Sequence, residues 1–402
     1  MLTLTLAALA QAAAAAPSPA AGDVVVVGHR AQDELAACLA RHCPPAEEIE
    51  RSLQAAVEQF SATRYDAAQA TLQRAINRNE RFAAELPGPL STLYATLATV
   101  AEHKGVNRRW LASIRRSVTL LRQYRGVDRP ETLRQELAFG DAMIGMNQPS
   151  LSAALYRSVA DKAVASGQNG LAAVALLRQA SLATIRHRDA EATALADRAV
   201  AVAAADPAVA AQVAQAAQVL RTRIAVRDGN AGAVDRIAAT LHQSANDTPR
   251  LVTQTPIKEP SSEFSVLNAA AASERSKFLK VPLAHATIRT ADVGYWIKPD
   301  GHTADVEILR SAGLGGWARA ITDQVASRRY VPLDLPATSQ GIYRVDRFTI
   351  RAQFGVPIGS KIPQRMGREE VRIVDLTDTD TMTAIAKERM EDAGPTPNKT
   401  AD

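Results

Sequence analysis

Apolar and polar positions alternate with a period of two from Val293 through Tyr295 to Ile297, and again from Ala304 through Val306 to Ile308. Pro299-Asp300-Gly301 stands between them, and Asp-Gly between alternating runs is a hairpin signal, so the two runs read as antiparallel strands. After the glycine cluster Gly313 to Gly316 the period changes. Trp317, Ile321 and Val325 stand at i, i+4 and i+8, which gives a helix one apolar stripe, with Ala320 beside it. Alternation then returns: Phe348, Ile350, Ala352 and Phe354 fall on one face of a last strand, and Tyr343, Arg347, Arg351 and Gln353 on the other. One helix over a three-stranded antiparallel sheet is a minimal two-layer core.

From Glu47 to about His242 the period is helical instead. Ala56, Ala68, Leu72 and Ala75 fall at fixed offsets that recur at Ala180, Ala192, Ala196 and Ala199, and more weakly at Gly140, Ser152, Tyr156, Val159 and at Ala101, Ser113, Ser117, Leu120. A small residue on one helix lets the next approach it, and the i, i+4, i+7 face of that second helix feeds the following pair. The set resembles the packing positions of tetratricopeptide repeats, although the starts lie roughly forty residues apart where that family has about 34. Leu86 to Pro89, Gly126 to Pro130, Asn147 to Ser150, Ser166 to Gly170, Asp206-Pro207 and Asp228 to Gly232 punctuate the helices. The resemblance implies an all-α helical-repeat superhelix.

Composition agrees with that division. Aromatics are 4% of the chain while Ala dominates its first 245 residues, which suits closely packed helices better than sandwiches. The net charge of +5 over 402 residues is mild and forms no basic stripe with interleaved aromatics, so nucleic acid is not expected as a partner. The first sixteen residues are uncharged and almost wholly apolar, too short for the ~20 residues that span a bilayer, and suit the apolar region of a secretory signal. Small-residue cleavage options run from Ala15 to Gly22; no Lys or Arg stands near Met1, so either the true start lies upstream or the signal is weak. Cys38 and Cys43, five apart, are too distant for a bridge on a continuous helix, but Pro44-Pro45 ends the helix there, so a disulfide is open to them in an oxidising compartment. His29 and His42 nearby match no zinc spacing.

The C-terminal run resembles the C-terminal domain of the energy transducer TonB over about residues 283 to 356. The matches are the aromatic strand ending in Pro-Asp-Gly, the second strand closing in Arg310-Ser311-Ala312-Gly313, the helix ending in Arg328-Arg329-Tyr330 with Pro332 beyond, and Arg347-Phe348 in the last strand. The resemblance implies that the last strand lies at a sheet border and takes up an extended peptide by strand addition. On that reading the peptide-binding residues are Tyr343, Arg344, Val345, Arg347, Thr349, Arg351 and Gln353, with the arginines placing register. Their plain alternative is a solvated strand face. Asp23-Val24-Val25-Val26-Val27 looks like the TonB box of outer-membrane receptors, because consecutive β-branched residues favour an extended strand.

The chain thus divides into a signal segment (1–22), an extended segment (23–45), a helical-repeat domain (46–245), a polar linker (246–280), a small α+β domain (281–376) and a tail (377–402). A short strand candidate stands at Val371 to Leu376, and a short helix is the most expected of the tail at Met382 to Met390. No Walker loop, HExxH, Gly-x-Ser-x-Gly or Cys-x-x-Cys appears, so neither an enzyme nor a cofactor or metal is expected. The expectation is a periplasmic protein–protein adaptor that binds extended peptides, with an outer-membrane receptor or other envelope protein as partner. The alternatives are a membrane-anchored TonB-type transducer, which the short linker does not favour, and a structural envelope protein without a peptide ligand.

Overall fold

The computed structural model describes residues 30–230, 232–258, 288–355, 359 and 364–377. The signal segment, Asp23 to Val27, most of the linker and the tail beyond Thr377 lie outside them.

Eleven helices come first among the described residues: α1 (Arg30–Ala40), α2 (Pro45–Ser61), α3 (Tyr65–Asn79), α4 (Pro87–His103), α5 (Asn107–Tyr124), α6 (Pro130–Gly145), α7 (Pro149–Ala165), α8 (Asn169–Ile185), α9 (Asp189–Ala203), α10 (Pro207–Arg227) and α11 (Ala233–Thr240). Proline stands in the first turn of α2, α4, α6, α7 and α10, where its missing N–H costs no helical hydrogen bond. From α2 onward the helices stack as hairpins, and the sequence offsets mark the contacts. Ala56, Ala68, Leu72, Ala75, Ala180, Ala192, Ala196 and Ala199 are all fully buried. At the weaker match Ser152 Oγ donates to Gly140 O at 2.7 Å, and a Cβ on Gly140 would stand 2.5 Å from the Tyr156 ring. The small residue is therefore required where α7 crosses α6. The helical part is a repeat array of the kind the spacing implies.

The second layer comprises β1 (Leu251–Thr253), β2 (Arg289–Ile297), β3 (Thr303–Ala312), α12 (Trp317–Ala326), β4 (Arg329–Tyr330), β5 (Ile342–Gly355) and β6 (Gln364–Asp375). Strands β2, β3 and β5 are antiparallel as the hairpin pattern implies, and Trp317, Ile321 and Val325 of α12 pack on Val293, Tyr295, Ile297, Phe348 and Ile350. The sheet has four strands, however, in the order β3-β2-β5-β6. The expected border strand is interior: β6 pairs along β5 from Asp346↔Asp375 to Gly355↔Gln364. Of the main-chain run expected to receive a foreign peptide, Tyr343 to Gln353, the part from Val345 onward is taken by the chain's own next strand. The physical reason is proximity. An unpaired border must find a partner, and the segment that follows in sequence closes the smallest loop.

Two further departures follow. Part of the expected linker belongs to the fold, because β1 pairs with β4 and Gln243 bridges to Leu333. Among the described residues the open borders are β3 and β6. The first is irregular, with register breaks at Asp292/Val293 and Gly294/Trp296 and a left-handed φ of 51° at Asp305, devices that blunt a border against pairing.

Candidate functional site

Strand parity turns Thr290 and Asp292 of β2, and Tyr343, Val345, Arg347, Thr349 and Arg351 of β5, away from α12. This second face of the sheet lies against α2 to α6 and not against water. Arg347 is fully buried, as are Thr349 and, at 2% exposure, Arg351. The Arg347 guanidinium grips Asp292 with both oxygens, at 2.7 Å from Nε and 2.8 Å from Nη2, and donates to Phe60 O and, at 2.6 Å, to Ser61 O. Those two carbonyls end α2, where four acceptors lack helical partners and the helix dipole is negative, so a cation is favoured there. Arg310 of β3 reaches the same carboxylate and the same Ser61 carbonyl. Burial alone would lower the Arg347 pKa; its hydrogen bond to Asp292 and the charge there raise it.

Two residues further on, Thr349 Oγ1 lies 2.9 Å from His103 Nδ1, at the last residue of α4, and 3.5 Å from the Tyr65 hydroxyl. Phe60, Tyr65 and His103 pack ring to ring, with Phe60 5.0 Å from His103 and 5.2 Å from Tyr65. Burial, with Arg351, Arg347 and Arg372 nearby, pushes the His103 imidazole down to about 3. Arg351 is differently placed. None of its three nitrogens makes a hydrogen bond among the described residues, and Glu370 Oε2 stands 3.8 Å from Nη1. Burial first, then Arg372, lowers its pKa to about 10.

On β6, Arg372 donates to Gly145 O, the last residue of α6, at 3.1 Å and to Glu370 at 2.9 Å, and lies over the Trp110 ring. Glu102 faces it at 3.4 Å; burial raises the Glu102 carboxyl pKa, and Arg372 and Arg351 oppose that. Arginines from the sheet thus close the ends of two helices of the array. Beside Arg372 a groove of about 850 Å³ opens between α4 (Thr96, Thr99, Glu102), α6 (Gln135, Ala138) and β6 (Glu370 to Arg372). The sheet layer also holds the far end of the array: Arg223 of α10 donates to Val252 O at 3.1 Å, and Val219, Ile237, Leu241, Val252 and Val331 share one core.

Of the residues expected to bind a peptide, Arg347, Thr349 and Arg351 form this internal interface. Arg344 pairs with Asp375 of β6, Tyr343 packs on Trp296 at 5.2 Å between centroids, and Val345 bonds through its main chain to Leu376 N and Thr377 Oγ1, both at 2.7 Å. Gln353 pairs in register with Met366. Neither the solvated strand face nor the exposed binding face describes these arginines. Arg328 of the motif, with Tyr295, Tyr330 and Asp346, makes a buried network on the α12 side, Arg328 Nη1 donating to Asp346 at 2.5 Å and to Tyr295 Oη at 2.9 Å. Cys38 and Cys43 are joined, with Cα atoms 5.2 Å apart. Residues that sequence reasoning passed over are Asp292, Glu102, Trp110, Gln135 and Arg372. The available signal was a strand candidate with alternating charge at Glu370 to Val374. Among the described residues no cluster of His, Cys, Asp and Glu fits a metal ion, and no helix is long and apolar enough to cross a membrane.

No protein-family model matches this chain, and no curated protein does. Among solved structures it is similar to BtubC (BKLC) from P. vanneervenii, at 13% identity over 57% of this chain and 96% of that one, with a TM-score of 0.43. It is similar to a Podosopora anserina kinesin light chain with nearly identical TPR-like repeats, at 14% identity over 48% of this chain and 94% of that one, TM-score 0.40. A Rap protein complexed with Competence and Sporulation Factor aligns at 12% identity over 51% of this chain and 57% of that one, TM-score 0.35.

Proposed function

We propose that this chain is an exported, non-enzymatic protein–protein adaptor of the cell envelope, a helical-repeat scaffold that carries a small sheet domain locked onto it. The observation that carries the reading is the groove between α4, α6 and β6, where array and sheet together present an open surface with buried polar groups. Export is supported by the apolar first sixteen residues and by the joined cysteines, which persist in oxidising compartments. The order strand, hairpin, strand, helix, strand supports a TonB-type ancestry for the sheet domain. The closed border of β5 argues against that family's mode of peptide uptake at Tyr343 to Gln353.

The test is site-specific photo-crosslinking in the cell envelope from position 96, on the groove wall, against position 164 on the exposed side of α7. A discrete adduct from Thr96 that is missing from Val164 is expected, in the fraction released by osmotic shock. No adduct above the control sinks the adaptor, and an intact chain that stays with the inner membrane favours the anchored transducer.

A further inference from the structure

We infer that the outer face of α5 docks the protein peripherally on an anionic phospholipid surface, through a stripe of arginines. α5 carries five of them, Arg108, Arg109, Arg115, Arg116 and Arg122, and no carboxylate. That equals the net charge of the whole chain, +5, so the rest of the chain is balanced. The second helices of the other hairpins, α3, α7 and α9, each mix both signs. Arg108, Arg115 and Arg122 are exposed and stand seven residues apart, which on a helix is one side. They span about 21 Å of the axis, and Arg109 and Arg116 form a second row beside them. Trp110, which meets Arg372 of the sheet, lies on the opposite side of the helix, so the stripe faces away from the sheet layer.

The fold itself uses only part of this charge. Arg116 holds Glu80, and Arg122 donates to Glu136 at 2.8 Å, a buried carboxylate that Lys162 also reaches. The guanidinium groups of Arg108, Arg109 and Arg115 make no hydrogen bond or ion pair among the described residues. Arg108 and Arg109 also stand in the first turn, where the helix dipole is positive and a carboxylate is the favoured charge. Local stability argues against them there, and an anion outside the fold accounts for their placement. Its kind follows from the surroundings. No aromatic of α5 lies in the stripe, so a nucleic acid would find no stacking platform along it. Beside Arg108 and Arg109 an apolar hollow of about 560 Å³, lined by Tyr94, Leu97, Val106 and Ala112, opens between α3, α4 and α5; a free phosphate would leave it unused. Val106 is 38% exposed, and at the other end of α5 Tyr124 and Val127 are 38% and 53% exposed. Exposed apolar groups flanking a basic helix suit the boundary between headgroups and acyl chains. Arg115, Thr119 and Arg122 form an exposed ridge that a flat charged surface meets along its length, whereas an acidic peptide would be gripped from one side only. The groove beside β6 includes Trp110 and so lies on the other side of α5; docking leaves it open and does not depend on its having a partner.

The experiment is co-sedimentation of the full chain with vesicles of phosphatidylcholine alone and with about a third phosphatidylglycerol, at low salt. The anionic vesicles should bind the protein more tightly by about tenfold or more, and the difference should vanish in about 0.5 M salt. The apolar residues 1–16 act equally on both vesicles and in every variant, so the differences alone are read. Arg108→Gln with Arg115→Gln should lower partition onto the anionic vesicles about 25-fold, about fivefold per arginine, without moving the melting curve. Lysine at both positions should keep the binding, because a charged surface asks for charge and not for a planar fork. Arg157→Gln with Arg198→Gln removes the same charge from exposed positions on α7 and α9, and should change partition by less than about threefold. If the double Gln variant fails to fold, Arg115→Glu at its exposed site changes the charge by the same amount and should again cost about 25-fold. Equal binding to the two vesicles, or an equal loss in the α7 and α9 variant, overturns the proposal. A Glu-rich peptide that binds the parent chain while anionic vesicles do not also overturns it, and assigns the stripe to an acidic protein.

Discussion

Arg347 and Arg351 stand two residues apart on one strand and are both buried, yet they should respond oppositely to substitution. Replacing Arg347 with Met removes both hydrogen bonds to Asp292 and the two to the end of α2. Asp292, at 3% exposure, then keeps the Arg310 guanidinium, which is half exposed. Breaking a buried pair costs about 3–5 kcal/mol, and the surviving Arg310 contact places the expected loss near the lower end, about 3 kcal/mol. Replacing Arg351 with Met takes out a guanidinium whose nitrogens make no hydrogen bond, and Glu370 keeps Arg372 at 2.9 Å. An apolar side chain of similar length there should be neutral or stabilising, within about 1 kcal/mol of the parent on the losing side. Arg347→Lys should behave like Arg347→Met to within about 1 kcal/mol, because an ammonium cannot hold a carboxylate and two carbonyls in one plane. Urea unfolding followed by far-UV circular dichroism and by tryptophan fluorescence measures the differences. Trp110 reports the interface and Trp317 the α12 core, so coincident curves also test whether the two layers unfold together. Equal destabilisation by the two Met variants, or a loss below about 1 kcal/mol for Arg347→Met, would refute the assignment of the interface to Arg347.

Three other outcomes are expected. His103 stays neutral in the fold down to about pH 3 but titrates near 6.5 when unfolded, so the unfolded chain binds more protons between those values. Its contribution is complete above about pH 6.5 and falls by about 1.4 kcal/mol per pH unit below it, partly offset by Glu102, whose raised pKa acts in the other sense. His103→Gln should flatten the acid limb of stability against pH, and an unchanged slope would show that another group sets it. Gly145→Ala puts a Cβ 2.6 Å from the Trp110 ring and 3.3 Å from Arg372, so it should cost about 1–3 kcal/mol and shift Trp110 emission, whereas Gly167→Ala, with nothing within 4 Å, should leave the emission alone. Reducing the Cys38–Cys43 bridge reopens a short loop worth about 2 kcal/mol in chain entropy. Hydrogen exchange should then accelerate in α1 and not in α6 to α9, and uniform acceleration would mean that the bridge supports the whole array.

How much was legible beforehand differs by element. The hairpin positions, the α12 stripe and the face shared by Phe348 and Ile350 could all be read from spacing, because local steric and burial rules act on neighbours in the chain. So could the small residues where helices cross: Gly140 under Tyr156 is a contact between adjacent helices. The second face of β5 was not legible. Arg347, Thr349 and Arg351 read as a polar, solvent-side row, and alternation cannot distinguish a polar face in water from a polar face buried against helix ends.

The amino-acid order alone determined the period of each segment, and with it the array of helical hairpins, the antiparallel hairpin and the face that meets α12. Tertiary structure alone decided that β6 closes β5, that α2 and α6 receive arginines from the sheet, and that a groove remains beside β6. The reason lies in sequence distance. Arg347 and Ser61 are 286 residues apart, and Arg372 and Gly145 are 227 apart. Main-chain acceptors at a helix end carry no residue-specific signal, so pairings of that kind exist only once the layers have come together.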